Sequence, residues 1–276
     1  MALRIAFDLD GVLADMEAEL VRQAETIFGQ AITRRLQEQR AAGADPAPTA
    51  PGNAGDPDSD SEPAADRAAD NTPPLLKLQM SSRQQRRLWR HVETIPNFWE
   101  TLEELEPGVI QRIAAMATDR RWEIIFLTKR PESAGATTQA QTQHWLEAKG
   151  FPLPSVFVVR GSRGRIAAAL GLDVVVDDRP ENCLDVVVDS KARAILVWRD
   201  DEKLLPVAAR RLGIGVVKTV GECLEILTHI DSPAPQPSGV VGRVMRLLGR
   251  KDTTTVQSAD SSPIAPISPI APISKS

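Results

Sequence analysis

Three short apolar segments of the sequence are each followed by polar residues whose types can take part in catalysis. These residues are Asp8 and Asp10 after the first segment, Thr128, Lys129 and Arg130 after the second, and Asp177 and Asp178 after a later one. Each apolar segment has the length and composition of a buried β-strand. Because reacting groups collect at the carboxyl ends of parallel strands, we expect these side chains to converge at one edge of a sheet.

The four carboxylates of this set indicate a cation. Carboxylates that lie close together repel, and burial increases the cost, so at neutral pH they require protonation or a positive ion. A hard divalent ion with oxygen ligands meets this requirement, and Mg²⁺ is the ion we expect. The basic residues that could receive a phosphate group are Lys129, Arg160, Arg163, Arg165 and Arg179. A metal held by acids beside an oxyanion held by bases indicates phosphoryl transfer.

The elements that must position these residues alternate between strand and helix. The predicted strands are 3–7, 123–127, 156–159, 174–176, 194–198 and 215–217, and the predicted helices among them are 108–118, 136–149, 165–170, 181–189, 202–212 and 222–230. Apolar strands that alternate with helices are typical of a parallel sheet covered on both faces. The sequence therefore predicts the α/β class, with a doubly wound parallel sheet.

The rest of the chain divides by composition. Helical patterns lie within 15–40, at 82–92 and near 98–105. Residues 41–74 are predicted to be a disordered insertion, because ordering this Ala-, Pro- and Asp-rich segment would not be offset by burial. After the folded part we predict a Pro-rich linker at 231–238, an amphipathic helix at 239–251 and a disordered tail at 252–276. The amphipathic helix could dock on its own domain, on a partner protein or on a membrane surface.

Charge and cysteine content exclude several classes of function. The 276 residues carry a formal net charge of −4, and without residues 41–74 and 239–276 the remainder carries −1. A non-specific nucleic-acid binder needs a surplus of Lys and Arg, so we expect no binding of duplex nucleic acid. Cys183 and Cys223 are too few for a disulfide framework or a Cys-based zinc site. Since no apolar run is long enough for a signal peptide or a membrane span, we expect a cytoplasmic protein.

The motifs at the predicted strand ends resemble those of haloacid-dehalogenase-type phosphatases. Residues 7–15, Phe-Asp-Leu-Asp-Gly-Val-Leu-Ala-Asp, resemble the first motif of that family, DxDG(V/T). Leu127-Thr128 resembles the second motif, and residues 175–182, Val-Val-Asp-Asp-Arg-Pro-Glu-Asn, resemble the fourth. Together with Pro-Asn-Phe-Trp-Glu at 96–100, the fourth motif is most similar to the 5'(3')-deoxyribonucleotidase branch. The resemblance spans residues 3–230, apart from 41–74.

This resemblance implies a Mg²⁺-dependent phosphomonoesterase that works through an aspartyl phosphate. Asp8 would be the nucleophile that attacks phosphorus. Asp10 would protonate the departing alcohol and then deprotonate the attacking water, while its backbone carbonyl binds the metal. Asp177 and Asp178 would complete the Mg²⁺ site around Asp8 and Asp10. The implied substrate is a small phosphorylated molecule, with nucleoside 5'-monophosphates or deoxynucleotides preferred.

The phosphate-binding residues implied by the resemblance include one departure from the family pattern. Thr128, followed by Lys129, would hydrogen-bond the phosphoryl oxygens. The third motif of the family is a lysine, but residues 160–165 contain none. Arg165, at the predicted start of a helix, is the first candidate for this role and Arg163 is the second. Arginine keeps the positive charge but presents a wider, planar array of donors.

The resemblance also implies a domain division. Residues 1–14 and 107–230 would form the catalytic core, and residues 15–40 and 75–106 a small helical cap that covers the substrate. The insertion 41–74 would then split the cap. Phe98 and Trp99 are candidates to stack on a base or line its pocket, and packing in the core is their other interpretation.

Plainer interpretations remain open at this stage. The acids could be solvated turns after strands, Thr128 a loop residue and the arginines solvated surface residues. The function could also be that of a phosphatase for another metabolite, such as a sugar phosphate. A catalytically weak binding or scaffold protein of the same fold is a further alternative, because the third-motif lysine is missing and the cap is interrupted.

Overall fold

A six-stranded parallel sheet forms the centre of the fold in the structure, a computed structural model that describes residues 2–30, 34 and 80–231. The strands are β1 (Arg4–Asp8), β2 (Glu123–Thr128), β3 (Ser155–Val158), β4 (Val174–Asp177), β5 (Arg193–Val197) and β6 (Gly215–Val217). They lie in the order β3-β2-β1-β4-β5-β6, and all neighbouring pairs are parallel. The predicted doubly wound parallel α/β sheet is therefore confirmed.

Helices cover both faces of this sheet. They are α1 (Met16–Phe28), α2 (Ser82–Thr94), α3 (Val109–Arg120), α4 (Thr138–Ala148), α5 (Arg163–Leu170), α6 (Pro180–Asp189), α7 (Val207–Arg211) and α8 (Val220–Asp231), with 3₁₀ turns at Phe98–Glu100 and Glu202–Leu204. Successive residues of a strand point to opposite faces. Ile5 and Phe7 accordingly join a hydrophobic cluster with α1 to α4 and α8, whereas Ala6 joins a second cluster with α5 to α7.

Two helix predictions are wrong. Residues 202–212 do not form one helix, because Pro206 separates a 3₁₀ turn from α7. Proline has no N–H to donate and disfavours the helical conformation in the preceding residue, and Leu205 is extended, with φ −63° and ψ 123°. Near 98–105 only the 3₁₀ turn Phe98–Glu100 forms, since the chain then runs into a β-bridge between Glu104 and Ala14.

Helices α1 and α2 form the layer beside the loop that follows β1. Helix α2 begins with a capping box, in which Ser81 and Gln84 satisfy each other's backbone N–H groups. Nε2 of His91 on α2 lies 3.1 Å from Oε1 of Gln23 on α1. Leu20 and the other apolar residues of these helices belong to the same cluster as the sheet. The assignment of this layer to a separate cap stays a prediction.

Several predictions fall on parts of the chain that the structure does not describe. These are the insertion 41–74, the linker after Asp231, the helix 239–251 and the tail 252–276. Among the residues that are described, no helix combines the length and the apolar character needed to cross a membrane.

Candidate active site

The strand order creates a crevice beside β1. From β1 the chain adds β2 and β3 on one side and then returns to place β4 against the other side of β1. In open α/β sheets, such a reversal leaves a crevice at the carboxyl ends of the two strands, where ligands bind. Asp8 ends β1 and Asp177 ends β4, so Asp10 and Asp178 follow at this same edge.

The loop after β1 is a tight turn that places Asp10. The N–H of Ala14 donates to the carbonyl of Leu9 at 2.8 Å, which closes the turn. Gly11 has a φ of +87°, in the region that only glycine enters without strain. A Cβ atom on Gly11 would also collide with Oδ2 of Asp178. The missing side chain therefore lets this loop approach the end of β4.

A buried arginine joins the ends of β1 and β4. Arg163 is the first residue of α5, and its Nη2 donates to Oδ1 of Asp8. Its Nε lies 3.5 Å from Oδ2 of Asp177. The Nε and Nη1 atoms of Arg163 are buried and lack a hydrogen-bond partner within the described residues. The guanidinium thus contacts both strand ends and keeps two donors unused.

The structure reverses the order of the two arginine candidates. Arg165 is exposed, and its backbone N–H donates to the hydroxyl of Ser162, which caps α5. Two positions along an α-helix correspond to a rotation of about 200°, so Arg163 and Arg165 cannot point into the same site. The structure therefore favours the second candidate, Arg163, which contacts Asp8.

The two acids after β4 have different surroundings. Asp177 is fully buried, and both of its oxygens accept from Nδ2 of Asn182 at 3.0 Å. Its Oδ1 also accepts from the backbone N–H of Arg179 at 2.9 Å. Oδ1 of Asp178, in contrast, is buried without a hydrogen-bond partner in the described part of the chain. Asp177 is held by the protein, whereas Asp178 keeps an acceptor unused.

Burial raises the pKa of three of these acids. The pKa of Asp8 lies well above its ordinary value of 3.8 because of desolvation, although the guanidinium of Arg163 opposes the shift. Desolvation also raises the pKa of Asp177, again against Arg163. Desolvation and the charge of Asp177 raise the pKa of Asp178 to about 8. One arginine is therefore too little positive charge to keep all three acids ionised at neutral pH.

Asp10 is bound by Arg130, which the sequence predicts to lie near the acids but to which it assigns no role. Nε of Arg130 lies 3.0 and 2.9 Å from the two oxygens of Asp10, and Nη2 donates to Oδ1 at 2.7 Å. The hydroxyl of Thr128 donates to Oδ2 at 3.3 Å. The spacing of Thr128 and Arg130 was the available signal, because residues two apart in an extended chain point to the same side.

Phe98 and Trp99 do not line a pocket in this structure. Both side chains are fully buried, and their rings pack edge to face with centroids 4.9 Å apart. Nε1 of Trp99 donates to the carbonyl of Pro131 at 3.0 Å. The core-packing interpretation therefore fits the surroundings of this pair, and a role in the substrate pocket stays a prediction.

The other basic candidates lie in mixed surroundings. Lys129 is half-buried, and Nε of Arg179 lies 3.9 Å from a carboxylate oxygen of Glu181. Arg160 is exposed and lines a cavity of about 570 Å³ between β3 and the loop before α4. Exposed Phe157 lines the same cavity. Of these three bases, Arg179 contacts the acids through its backbone N–H, which bonds Asp177, and Arg160 shares its cavity with Arg130.

The charge of the cluster fits a hard divalent cation. When all four carboxylates are ionised, the two buried guanidiniums leave two negative charges. Within the described residues, no three His, Cys, Asp or Glu side chains form a group that could hold a metal ion by themselves. Mg²⁺ commonly uses only one or two carboxylates and keeps several waters. The unpartnered Oδ1 of Asp178 suits such an ion.

Comparisons with known proteins return distant structural likenesses. Neither protein-family models nor curated proteins match the sequence. Similar solved structures include a hydrolase from Pseudomonas syringae, which is 17% identical, with 84% of this chain and 100% of that chain covered and a TM-score of 0.42. A HAD family hydrolase from Deinococcus radiodurans R1 with bound phosphate and sodium is 14% identical, with 84% and 99% covered and a TM-score of 0.43. Because these TM-scores are below 0.5, the proposed roles of the site residues rest on this chain alone and not on these likenesses.

Proposed function

We propose that this protein is a Mg²⁺-dependent phosphomonoesterase of the haloacid-dehalogenase type, with Asp8 as its nucleophile. The observation that supports this most strongly is the buried guanidinium of Arg163, which pairs with Asp8 and lies 3.5 Å from Asp177. A solvated acidic turn would not bury a cation between two strand ends. The unused Nη1 donor of Arg163 suits an oxygen of a phosphoryl group.

The first step transfers the phosphoryl group to Asp8. A carboxylate oxygen of Asp8 bonds to phosphorus while the bond from phosphorus to the alcohol oxygen breaks. Asp10 gives a proton to that departing oxygen. Thr128, at the end of β2, hydrogen-bonds a phosphoryl oxygen. Lys129, the next residue, is a further candidate phosphate ligand.

The second step releases inorganic phosphate. Water attacks phosphorus, Asp10 accepts a proton from that water, and Asp8 leaves as a carboxylate. Mg²⁺ would be held by Asp8, Asp177, Asp178 and the backbone carbonyl of Asp10. There it would supply positive charge for the phosphoryl oxygens. Because burial raises the pKa of Asp8, its ionisation at neutral pH depends on positive charge of this kind.

The proposed substrate is a small phosphorylated molecule, with nucleoside 5'-monophosphates or deoxynucleotides as the preferred class. The resemblance of residues 96–100 and 175–182 to deoxyribonucleotidases supports this preference. Burial of Phe98 and Trp99 weakens it, because these rings are not available to stack on a base. Sugar phosphates therefore belong in the same test.

A phosphate-release screen tests the proposal. The panel contains nucleoside 5'-monophosphates, deoxynucleotides, sugar phosphates and p-nitrophenyl phosphate, each with Mg²⁺ and with EDTA. We expect Mg²⁺-dependent release of phosphate from at least one compound, and a rank order that identifies the substrate class. If the folded protein releases no phosphate from any compound, the enzymatic proposal is wrong and a binding or scaffold role takes its place.

A further inference from the structure

The guanidinium of Arg130 is surrounded by two aromatic rings and by hydrogen-bond partners. Its side chain is fully buried, and its guanidinium carbon lies 4.9 Å from the ring centre of Trp99 and 5.6 Å from that of Trp145. Both distances are within the range of cation–π attraction. Nη1 of Arg130 donates to the hydroxyl of Thr142 at 3.1 Å. Residues from the 3₁₀ turn and from α4 therefore fix the guanidinium together.

All the remaining hydrogen-bonding capacity that the structure shows for Arg130 is directed at Asp10. Nε and Nη2 both bond its carboxylate, so each of the three guanidinium nitrogens has a partner. Arg163, in contrast, has two nitrogens without one. This difference separates two roles. Arg163 has an unused donor at Nη1 to offer a phosphoryl group, whereas all three guanidinium nitrogens of Arg130 are engaged by Asp10 and Thr142.

The two oxygens of Asp10 are not held equally. Oδ1 accepts from Nη2 at 2.7 Å and from Nε at 3.0 Å. Oδ2 shares Nε at 2.9 Å and, within the described residues, otherwise accepts only from the hydroxyl of Thr128, at 3.3 Å. Arg130 therefore orients the carboxylate and leaves Oδ2 as the oxygen that is less tightly bound.

We infer that Arg130 is a positioning residue, which holds Asp10 so that Oδ2 faces the oxygen of the leaving group. The inference rests on the proposed function. In the first step, the proton passes from Oδ2 of Asp10 to the alcohol oxygen as the phosphorus–oxygen bond breaks and its electron pair stays on that oxygen. A misplaced proton donor slows this step, since small errors in geometry reduce catalysis by on the order of 100-fold.

The leaving group distinguishes this role from a structural or phosphate-binding one. p-Nitrophenolate leaves without needing a proton, whereas an alkoxide does not. Because kcat/KM reports the steps up to cleavage of the ester bond, Arg130→Met should lower kcat/KM for an alkyl phosphate about 100-fold and leave that for p-nitrophenyl phosphate nearly unchanged. Loss of a phosphate ligand, or of folded protein, would lower both values equally.

Two milder variants cover the case in which Arg130→Met fails to fold. Arg130→Lys keeps the charge but loses the planar fork, and Thr142→Val removes one partner of the guanidinium. Both should show the same selectivity for the alkyl phosphate, to a smaller extent. Thr118→Val is the control. The hydroxyls of Thr118 and Thr142 both donate to a carbonyl of their own helix, but Thr118 is exposed and Thr142 also accepts from Arg130. Thr118→Val should change neither kcat/KM value.

A double-mutant cycle with Asp10→Asn completes the test. If Arg130 acts through Asp10, Arg130→Met should have no further effect on alkyl phosphate hydrolysis in the Asp10→Asn background. Equal losses for both substrates, or independent effects of the two substitutions, would overturn the positioning role. Failure of the proposed function would look different, because the unmodified protein would then hydrolyse neither substrate.

Discussion

The acid cluster has two sides, which differ in how the charge of their carboxylates is balanced. On the β2 side, Arg130 pairs with the single carboxylate of Asp10, and each of its guanidinium nitrogens has a partner. On the β4 side, Asp8 and Asp177 share one guanidinium, and Asp178 keeps a buried oxygen without a partner in the described residues. On the β2 side one carboxylate pairs with one guanidinium. On the β4 side the carboxylates outnumber the guanidinium.

This difference shows on which side the protein's own residues balance the charge of the carboxylates without a ligand. The β2 side is rigid before any ligand arrives, because aromatic faces and hydrogen bonds already fix Arg130. On the β4 side, burial raises the pKa of Asp8, Asp177 and Asp178. A cation and a phosphoryl group would complete the charge balance there. We therefore expect changes on the β4 side to alter stability and metal response together.

The largest expected effect on stability comes from removing the shared cation. Arg163→Met leaves Asp8 and Asp177 buried without it, so at pH 8 we expect the free energy of unfolding to fall by about 3–5 kcal/mol. Urea unfolding in EDTA measures this. Arg165→Met is the matched control on the same helix, and because Arg165 is exposed it should change stability by less than about 0.5 kcal/mol. Equal effects of the two variants would contradict the assignment of Arg163.

A smaller effect should come from Mg²⁺, with a definite dependence on pH. Folding raises the pKa of Asp178 from 3.8 to about 8. Between these pH values the folded state keeps a proton that the unfolded state has lost. The free energy of unfolding without metal therefore falls as pH rises from about 4 to about 8. At 100 times its Kd, Mg²⁺ should add about 2.7 kcal/mol at pH 8. At pH 5 it should add less, because protons compete for the same oxygens. Thermal unfolding with Mg²⁺ and with EDTA compares the two conditions, and equal stabilisation at both pH values would count against a metal site at Asp178.

The smallest of these effects tests how closely the β1 loop approaches β4. Gly11→Ala and Gly29→Ala both place a Cβ on a residue with positive φ, +87° and +83°, but only the Cβ at Gly11 meets Asp178. Both substitutions carry the cost of a positive φ, and the contact with Asp178 is added at Gly11, so Gly11→Ala should cost about 1–2 kcal/mol more than Gly29→Ala. Denaturant midpoints measure the difference. It should be accompanied by weaker stabilisation by Mg²⁺ in Gly11→Ala alone, and identical behaviour of the two variants would show that the contact with Asp178 is unimportant.

Local rules made the sheet and the meeting of the acids predictable. Apolar runs such as β1 alternate with helices, which indicates parallel strands, and the carboxyl ends of parallel strands share one edge. Asp8, Asp10 and Asp177 follow directly from these rules. Pro206 was a visible break in the predicted helix 202–212, and its effect is also local.

Details that depend on exact helix ends or on distant contacts were not predictable. Helix α5 begins at Arg163 and not at Arg165, and this shift of two residues decides which arginine faces the acids. Patterns in a sequence locate helix ends only to within a few residues. The role of Arg130 depends on Trp99 and Trp145, which come from separate elements, so its spacing from Thr128 indicates a side of the chain but not these partners.

Turnover by Asp8→Asn tests the central claim most directly. The variant keeps the size of the side chain but removes the charged nucleophile, so with Mg²⁺ its kcat on the best substrate should fall by on the order of 1,000-fold or more. Thermal unfolding should show that it remains folded. If folded Asp8→Asn keeps full turnover, Asp8 is not the nucleophile, and the account of this site is wrong.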